Sequence, residues 1–441
     1  MMNYEDVLRL INASAGTAQR TTKEHTLRCL SLMGDPHLRI GKIIHVAGTN
    51  GKGSVSSYLE SMLRRAGNVT GKFTSPHLER INERIAVNGE PVSDEDFVRA
   101  YEAFERAAFK MTADGEPGFP YFDILFLMGM HVFAEKCTDV VILETGLGGR
   151  LDVTNKVDMK AMTVITSISL DHMDILGPTV PIIAGEKAAI MRRGVPCVYD
   201  ALSLEASKVI EEYGAEIGAP VWPLGADDFV ITEARNGEID FSTSFRYDGR
   251  ADHRIHAAAP YQAENAALSL LALKVLRESG AGEGLRLPTA QQASEGLMSM
   301  KWPARMEEIL PRVFLDGAHN EDGVRRFSEA VRFIAGDERP QLLFAVMKRK
   351  DYGSMIKTLA GEIDWARVTV TGIDGEGDAS APELADLFRA EGIRDVRVVP
   401  GFADAYREVL ADQGDGYVFI CGSLYLAGLL RHIKMPGSFV K

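Results

Sequence analysis

Short apolar runs rich in Val and Ile recur along the chain, and between them apolar positions repeat with helical spacing. These are the periods of strands buried on both faces and of amphipathic helices. Residues 43–47 form one such run. After it, Val55, Tyr58, Leu59, Met62, Leu63 and Ala66 share one helical face, and Gly67 suits a helix end. Further buried strands are predicted at 139–146, 161–169 and 195–200. The stretch 228–254 breaks the pattern. It is polar, with short alternating runs such as EIDFSTSFRYDG, and predicts a β-hairpin-like excursion. Helical spacing returns in YQAENAALSLLALKVLRESG. From Val313 onward, strand-like VFLDG, QLLFAVM, RVTVTGI, DVRVVPG and YVFICGS alternate with four helical segments. The whole predicts an α/β protein with a mainly parallel sheet in 1–300 and a smaller Rossmann-like α/β domain in 301–441. Ligands in such folds sit beyond the carboxyl ends of strands, so a cleft between the domains is the expected site.

Composition narrows the class. The chain is 46% hydrophobic and 25% charged, an ordinary globular balance. Its net charge of −13 lacks the basic footprint of a nucleic-acid or anionic-membrane binder. Cys29, Cys137, Cys197 and Cys421 are far apart in sequence, so they read as reduced thiols rather than a metal motif. The opening MMNYEDVLRL has no long apolar core, and no run approaches the ~18 apolar residues of a membrane span. A cytoplasmic protein is expected.

The candidate chemistry begins at HVAGTNGKGS, residues 45–54. The common phosphate-loop template G-x-x-x-x-G-K-[ST] does not fit, because Val46 replaces its first glycine and the hydroxyl arrives one residue late, at Ser54. The physical case is stronger than the template. Gly48, Gly51 and Gly53 allow positive φ and successive exposed N–H groups, the following helix directs its positive end at the same place, and Lys52 adds a point charge. The stretch reads as a nucleotide site.

Other candidates gather at strand ends. Glu144 follows an apolar run and precedes Gly146, Gly148 and Gly149, with Arg150 and Asp152 next; a magnesium ligand is the natural reading of that glutamate. Asp171 and His172 follow another apolar run. Taken alone, TSPHLERINERI (74–85) reads as a surface loop and Lys187 as a solvent-exposed lysine. Asp316, before a glycine, suits either a ribose contact or a turn, and Arg305 either a γ-phosphate contact on domain closure or a surface arginine.

Taken in order, HVAGTNGKGS, TSPHLERINERI, LETGLGGRLDVTN, SLDHMDILG, EKAAI, QAENAAL, WPARMEE, DGAHN and CGSLYLAG resemble the folylpolyglutamate synthase and dihydrofolate synthase group of the Mur ligase superfamily. That resemblance implies an ATP-binding Mur ligase domain at 1–300 and a glutamate ligase domain at 301–441. It implies ATP phosphates on Gly51, Lys52, Gly53 and Ser54, and nucleotide contacts from Asn265, Arg305 and Asp316. Two magnesium ions are implied, with Ser54, Ser75, Glu144, His172 and a carbamylated Lys187 around them. The segments carrying Tyr121, Phe122 and Asp123, and Leu151, Asp152 and Val153, are implied to hold the pterin. His319 is a candidate for binding the incoming glutamate or for handling its proton. Lys52, Lys187, His172 and Arg305 carry the chemistry in this reading. The implied reaction is ATP-dependent addition of L-glutamate to a folate or to dihydropteroate through an acyl phosphate. A monomer is expected. Departures from the family pattern are Asp123 in place of Glu, Tyr261 in place of His, and no Arg-Pro pair after the third strand of the second domain. A Mur-type ligase for a non-folate carboxylate shares the ATP chemistry but not the pterin segments. A nucleotide-switch protein lacks the second α/β domain.

Overall fold

The computed structural model of the chain describes residues 2–14, 20–235, 237–245, 249–373 and 377–432. It separates into two units. The first comprises Met1–Phe229, Thr243–Ala251 and Asn265–Met300; the second comprises Val230–Ser242, Asp252–Glu264 and Lys301–Lys441. Parts of the polar excursion thus group with the C-terminal part, in place of a single cut at 300/301.

In the first unit the described strands are β1 (Lys42–Ala47), β2 (Thr70–Phe73), β3 (Ile85–Val87), β4 (Glu90–Pro91), β5 (Val140–Glu144), β6 (Lys160–Ile165), β7 (Cys197–Asp200) and β8 (Val221–Leu224). They form one sheet in the order β4-β3-β2-β5-β1-β6-β7-β8. From β2 to β8 the pairs are parallel, and β3 and β4 add an antiparallel edge. Strand β1 is central, with Val46 opposite Glu144 on one side and Ala47 opposite Ile165 on the other. Ile43, Ile44, Val46 and Ala47 are fully buried, as a parallel strand covered on both faces requires. The register brings the ends of β1, β5 and β6 together.

The helix Lys52–Arg65 leaves β1 through the glycine loop. Val55, Tyr58, Leu59, Met62 and Leu63 are buried, the face that the spacing predicted. Helix Ala290–Ser299 packs so closely on it that a Cβ at Gly296 would lie 2.7 Å from Met62 Cα. Phe73, Phe97, Phe126 and Phe133 anchor one apolar cluster of the unit, and Ile183, Ile190, Tyr199 and Ile210 belong to another.

Mostly in the second unit, β9 (Phe229–Arg235), β10 (Glu238–Thr243) and β11 (Ala251–His256) form a three-stranded sheet, one strand more than a hairpin. Strands β12 (Glu307–Leu310), β13 (Val313–Leu315), β14 (Gln341–Phe344), β15 (Arg367–Val370), β16 (Val396–Val398) and β17 (Val418–Cys421) form a sheet in the order β12-β13-β17-β14-β15-β16. It is parallel apart from β12. The architecture is a two-domain α/β fold.

Candidate active site

The glycine loop is shaped by what lies beside it. A Cβ at Gly48 would stand 1.8 Å from Thr166 Oγ1, and one at Gly51 would stand 2.5 Å from Asn265 Oδ1. Gly51 has φ +86°, a conformation that glycine adopts without strain. The chain leaving β6 cradles the loop. Thr49 N–H donates to Ser167 O at 2.7 Å, Thr49 Oγ1 donates to Ser169 O at 3.1 Å, and Thr166 Oγ1 donates to Asn50 O at 2.6 Å. This is why the predicted strand at 161–169 stops at Ile165. Ser54 lies at the start of the helix, almost fully buried.

Two lysines converge on one carbonyl. Lys52 Nζ donates to Gly48 O at 3.1 Å and Thr49 O at 3.0 Å, while Lys187 Nζ donates to Gly48 O at 2.7 Å. Lys187 is only 4% exposed, so its reading as a solvent-facing lysine is corrected. Burial pulls its amine down to about 7, and the charge of Lys52 adds to that. The helix that carries it, Val180–Ala188, is fixed from below. Arg150 N–H donates to Glu186 O at 2.9 Å, the Arg150 guanidinium meets Glu186 Oε1 at 2.8 Å, and a Cβ at Gly149 would lie 3.1 Å from Lys187 Cα.

Glu144 ends β5 with 2% exposure, opposite Val46. Behind it sits Lys72, which sequence reasoning missed: a buried lysine whose amine is 2.9 Å from Ser57 Oγ. Burial lowers its pKa, against the opposing fields of Glu60 and Glu144. Its one readable signal was a charge inside a four-residue strand. His172 has a left-handed backbone, φ +49°, and its side chain is 38% exposed beside Asp171. The 74–85 segment is no loose surface loop. The N–H groups of Leu78, Glu79 and Arg80 all donate to the Glu83 carboxylate, Asn82 and Arg84 are buried, and Arg84 Nε donates to His77 Nδ1 at 2.8 Å. Ser75, half-buried, precedes a cis peptide to Pro76.

The two segments implied for the pterin meet. Phe122 packs on the turn after Glu144, where a Cβ at Gly146 would lie 2.5 Å from its ring. The Arg84 guanidinium lies over the Tyr121 ring at 5.4 Å. Asp123 is buried, faces Lys156 Nζ at 3.3 Å and accepts from the Thr21 hydroxyl. Leu151 is 59% exposed, whereas Val153 is buried in the apolar cluster. Asp152 is spent on its own turn: Oδ2 accepts the N–H groups of Gly146 and Leu147, and Oδ1 accepts Thr154 N–H and Oγ1. Both oxygens are saturated, so direct pterin contact by this carboxylate does not fit.

In the second unit Asp316 follows β13, 4% exposed. Its Oδ2 accepts Tyr261 Oη at 2.6 Å and Met306 N–H at 2.8 Å, and Oδ1 accepts Ala318 N–H at 2.8 Å. Burial raises its pKa and the nearby Arg305 opposes that. Arg305 is half-buried between Ala304 and Met306, two non-glycine residues with positive φ of 55° and 51°. His319 Nδ1 lies 2.7 Å from Gly317 O. Tyr261, noted only as a departure, is the residue that ties down Asp316.

Against known proteins, residues 304–424 match the model of the Mur ligase, glutamate ligase domain. The chain is 37% identical over 414 residues to a dihydrofolate synthase/folylpolyglutamate synthase of Bacillus subtilis, covering 91% of this chain and 92% of the relative. Its fold matches that of the Mycobacterium tuberculosis folylpolyglutamate synthase complexed with ADP, with a TM-score of 0.86, 26% identity and 97% of each chain covered. It also matches E. coli FolC in complex with DHPP and ADP, with a TM-score of 0.82, 26% identity, and 98% and 97% of the two chains covered.

Proposed function

The chain belongs to the folylpolyglutamate synthase and dihydrofolate synthase family of the Mur ligase superfamily, and from that premise we propose how its residues share the work of joining L-glutamate to a folate. It is an ATP-dependent ligase of folate metabolism. The observation that carries the assignment of roles is the convergence of Lys52 and Lys187 on Gly48 O at the end of β1.

Gly51, Lys52, Gly53 and Ser54 hold the ATP phosphates, with Asn265 beside the loop. Arg305 and Asp316 are assigned to nucleotide contact; Asp316 Oδ1 accepts one N–H among the described residues and has capacity for a ribose hydroxyl. A carboxylate oxygen of the folate attacks the γ-phosphorus, the bond from that phosphorus to the ADP oxygen breaks, and an acyl phosphate forms. Lys52 and Arg305 offset the charge that spreads over the transferring group. The α-amine of L-glutamate then attacks the acyl carbon, inorganic phosphate leaves, and the amine gives up a proton to form the amide. His319 orients the incoming glutamate.

The donor set fits magnesium. Ser54 and Ser75 offer hydroxyls, Glu144 a carboxylate, and no cluster of three His, Cys, Asp or Glu stands among the described residues. Magnesium takes one or two carboxylates and completes its shell with water and phosphate, rather than occupying an all-protein cage. Ser54, Ser75 and Glu144 would hold one ion, and His172 with a modified Lys187 a second. Bound there, the ions would neutralise phosphate charge. Lys187 suits carbamylation because its neutral amine attacks CO2, giving a carbamate anion and one proton; the amine near 7 makes the neutral form abundant.

We assign Tyr121, Phe122, Asp123 and Leu151 to the pterin side, with Asp152 and Val153 shaping the turn rather than touching substrate. A monomer acting in the cytoplasm is the corresponding expectation; no described helix is long and apolar enough to cross a membrane. The test is ADP release with dihydropteroate and with tetrahydrofolate, each with and without L-glutamate. Glutamate-dependent release with both substrates is expected. Release with neither overturns the folate assignment, and release without glutamate overturns the ligase mechanism.

A further inference from the structure

His45 has no task in the reaction above, yet it sits fully buried on β1, three residues before Gly48. Its Nε2 lies 2.8 Å from Thr154 Oγ1. That hydroxyl donates its one proton to Asp152 Oδ1 at 2.6 Å. Only lone pairs of Thr154 therefore face the imidazole, and His45 carries its proton on Nε2. Asp152 in turn receives the N–H groups of Gly146 and Leu147, each at 2.9 Å. The chain has one polarity, from His45 through Thr154 to a carboxylate that also gathers the two amides just beyond Glu144 and Thr145.

An imidazole is a costly filler for this place. Burial pushes its pKa well down, with the charges of Lys160 and Arg192 adding, and its Nδ1 has no partner among the described residues. An apolar side chain would fill the same space without an orphaned nitrogen. What the imidazole supplies is the N–H to Thr154.

The elements joined are informative. The 3-10 turn Val153–Lys156 carries Thr154 and also Lys156, which meets Asp123 Oδ2 at 3.3 Å. Phe122 packs on Gly146, at the other end of the chain of bonds. The pterin-side residues are thus registered against β1 by one buried string of hydrogen bonds, whereas the phosphate loop is held separately by Thr166, Ser167 and Ser169. We propose that His45 and Thr154 are positioning residues for the folate substrate, holding the 146–156 segment in its binding shape without touching the ligand. The inference rests on the folate reading above.

The test is a steady-state comparison of Thr154→Val, which deletes the hydroxyl at nearly constant volume, with Thr154→Ser, which keeps it. His45→Leu and His45→Gln delete and keep the donor in the same way. Thr154→Val and His45→Leu should raise KM for the folate substrate about 10-fold or more, the scale of losing one partner of a buried hydrogen bond. KM for ATP should stay within about 2-fold, and Thr154→Ser and His45→Gln should recover most of the loss. Equal rises in both KM values, no rise at all, or no recovery by the conservative variants would overturn the proposal. So would insolubility of both deletion variants, which marks a purely structural chain. If the unmodified protein turns over no folate, the functional reading fails instead; if it is active and the variants show no split, only the positioning role fails.

Discussion

Two buried lysines differ in where they lie, Lys160 at the start of a central strand and Lys187 on the helix Val180–Ala188. Lys160 opens β6, 7% exposed, with its amine donating to Asn155 Oδ1 at 2.5 Å and Ile190 O at 3.0 Å. Lys187 is as deeply buried beside the carboxyl ends, with its amine on Gly48 O. Burial lowers both, to about 6 and about 7. The depressed amine is therefore no mark of function by itself. The surroundings separate them. Asn155 also accepts Arg192 Nη2 at 2.9 Å and donates to Arg150 O and Ala189 O, so Lys160 is one strut in a closed structural network. Lys187 instead shares its acceptor with Lys52, on a loop whose glycines leave no room for a Cβ. Two lysine amines thus meet on one backbone carbonyl of that loop, an arrangement the Lys160 network lacks.

The comparison breaks most easily at Lys187. Lys187→Ala is expected to lower ligation by about 10-fold to 100-fold, the scale for losing a group that orders a metal site. An assay of ADP release with saturating folate checks it, and full activity would remove Lys187 from the chemistry. The matching change at Lys160 should be mild. At saturating folate, Lys160→Met is expected to keep turnover within about 2-fold, since its amine meets Asn155 and Ile190 rather than a reacting group.

Lys160 shows instead in stability against pH. The folded Lys160 amine titrates near 6, against 10.5 for an ordinary lysine. Between those values the unfolded chain binds the extra proton, so stability rises with pH through that window and is lost as pH falls towards 6. Urea unfolding from pH 6.5 to 9 should show a positive slope of up to about 1.4 kcal/mol per pH unit from this group, flattened in Lys160→Met. An unchanged slope in the variant would place the proton uptake elsewhere.

Legibility in the sequence followed the physics. The β1 run, the glycine loop and the helix after it were readable because burial on both faces, positive φ and helical spacing each leave a compositional trace. The second α/β unit was readable for the same reason, though β12, with two glutamates, gave no strand signal. The third strand of the excursion, β11, is largely exposed and carries Asp, His and Arg, so its pattern resembles a loop. Lys187 and Lys72 could not be placed inside from composition, because lysine is seldom buried. Asp152 and Asp316 show the converse. An acid beside a glycine turn looks the same in sequence whether it faces a ligand or caps backbone N–H groups, and Asp152 proves to be saturated by its own turn. Tyr261 reaches Asp316 across 55 residues of chain, a pairing no local pattern announces.

The acyl phosphate is the centre of the account, and oxygen transfer tests it most directly. A folate substrate labelled with 18O in the reacting carboxylate is turned over with ATP and L-glutamate, and the released inorganic phosphate is analysed by mass spectrometry. The mechanism predicts one 18O in each phosphate, since the attacking carboxylate oxygen leaves with the phosphorus. Phosphate free of label, with amide product formed, would contradict it.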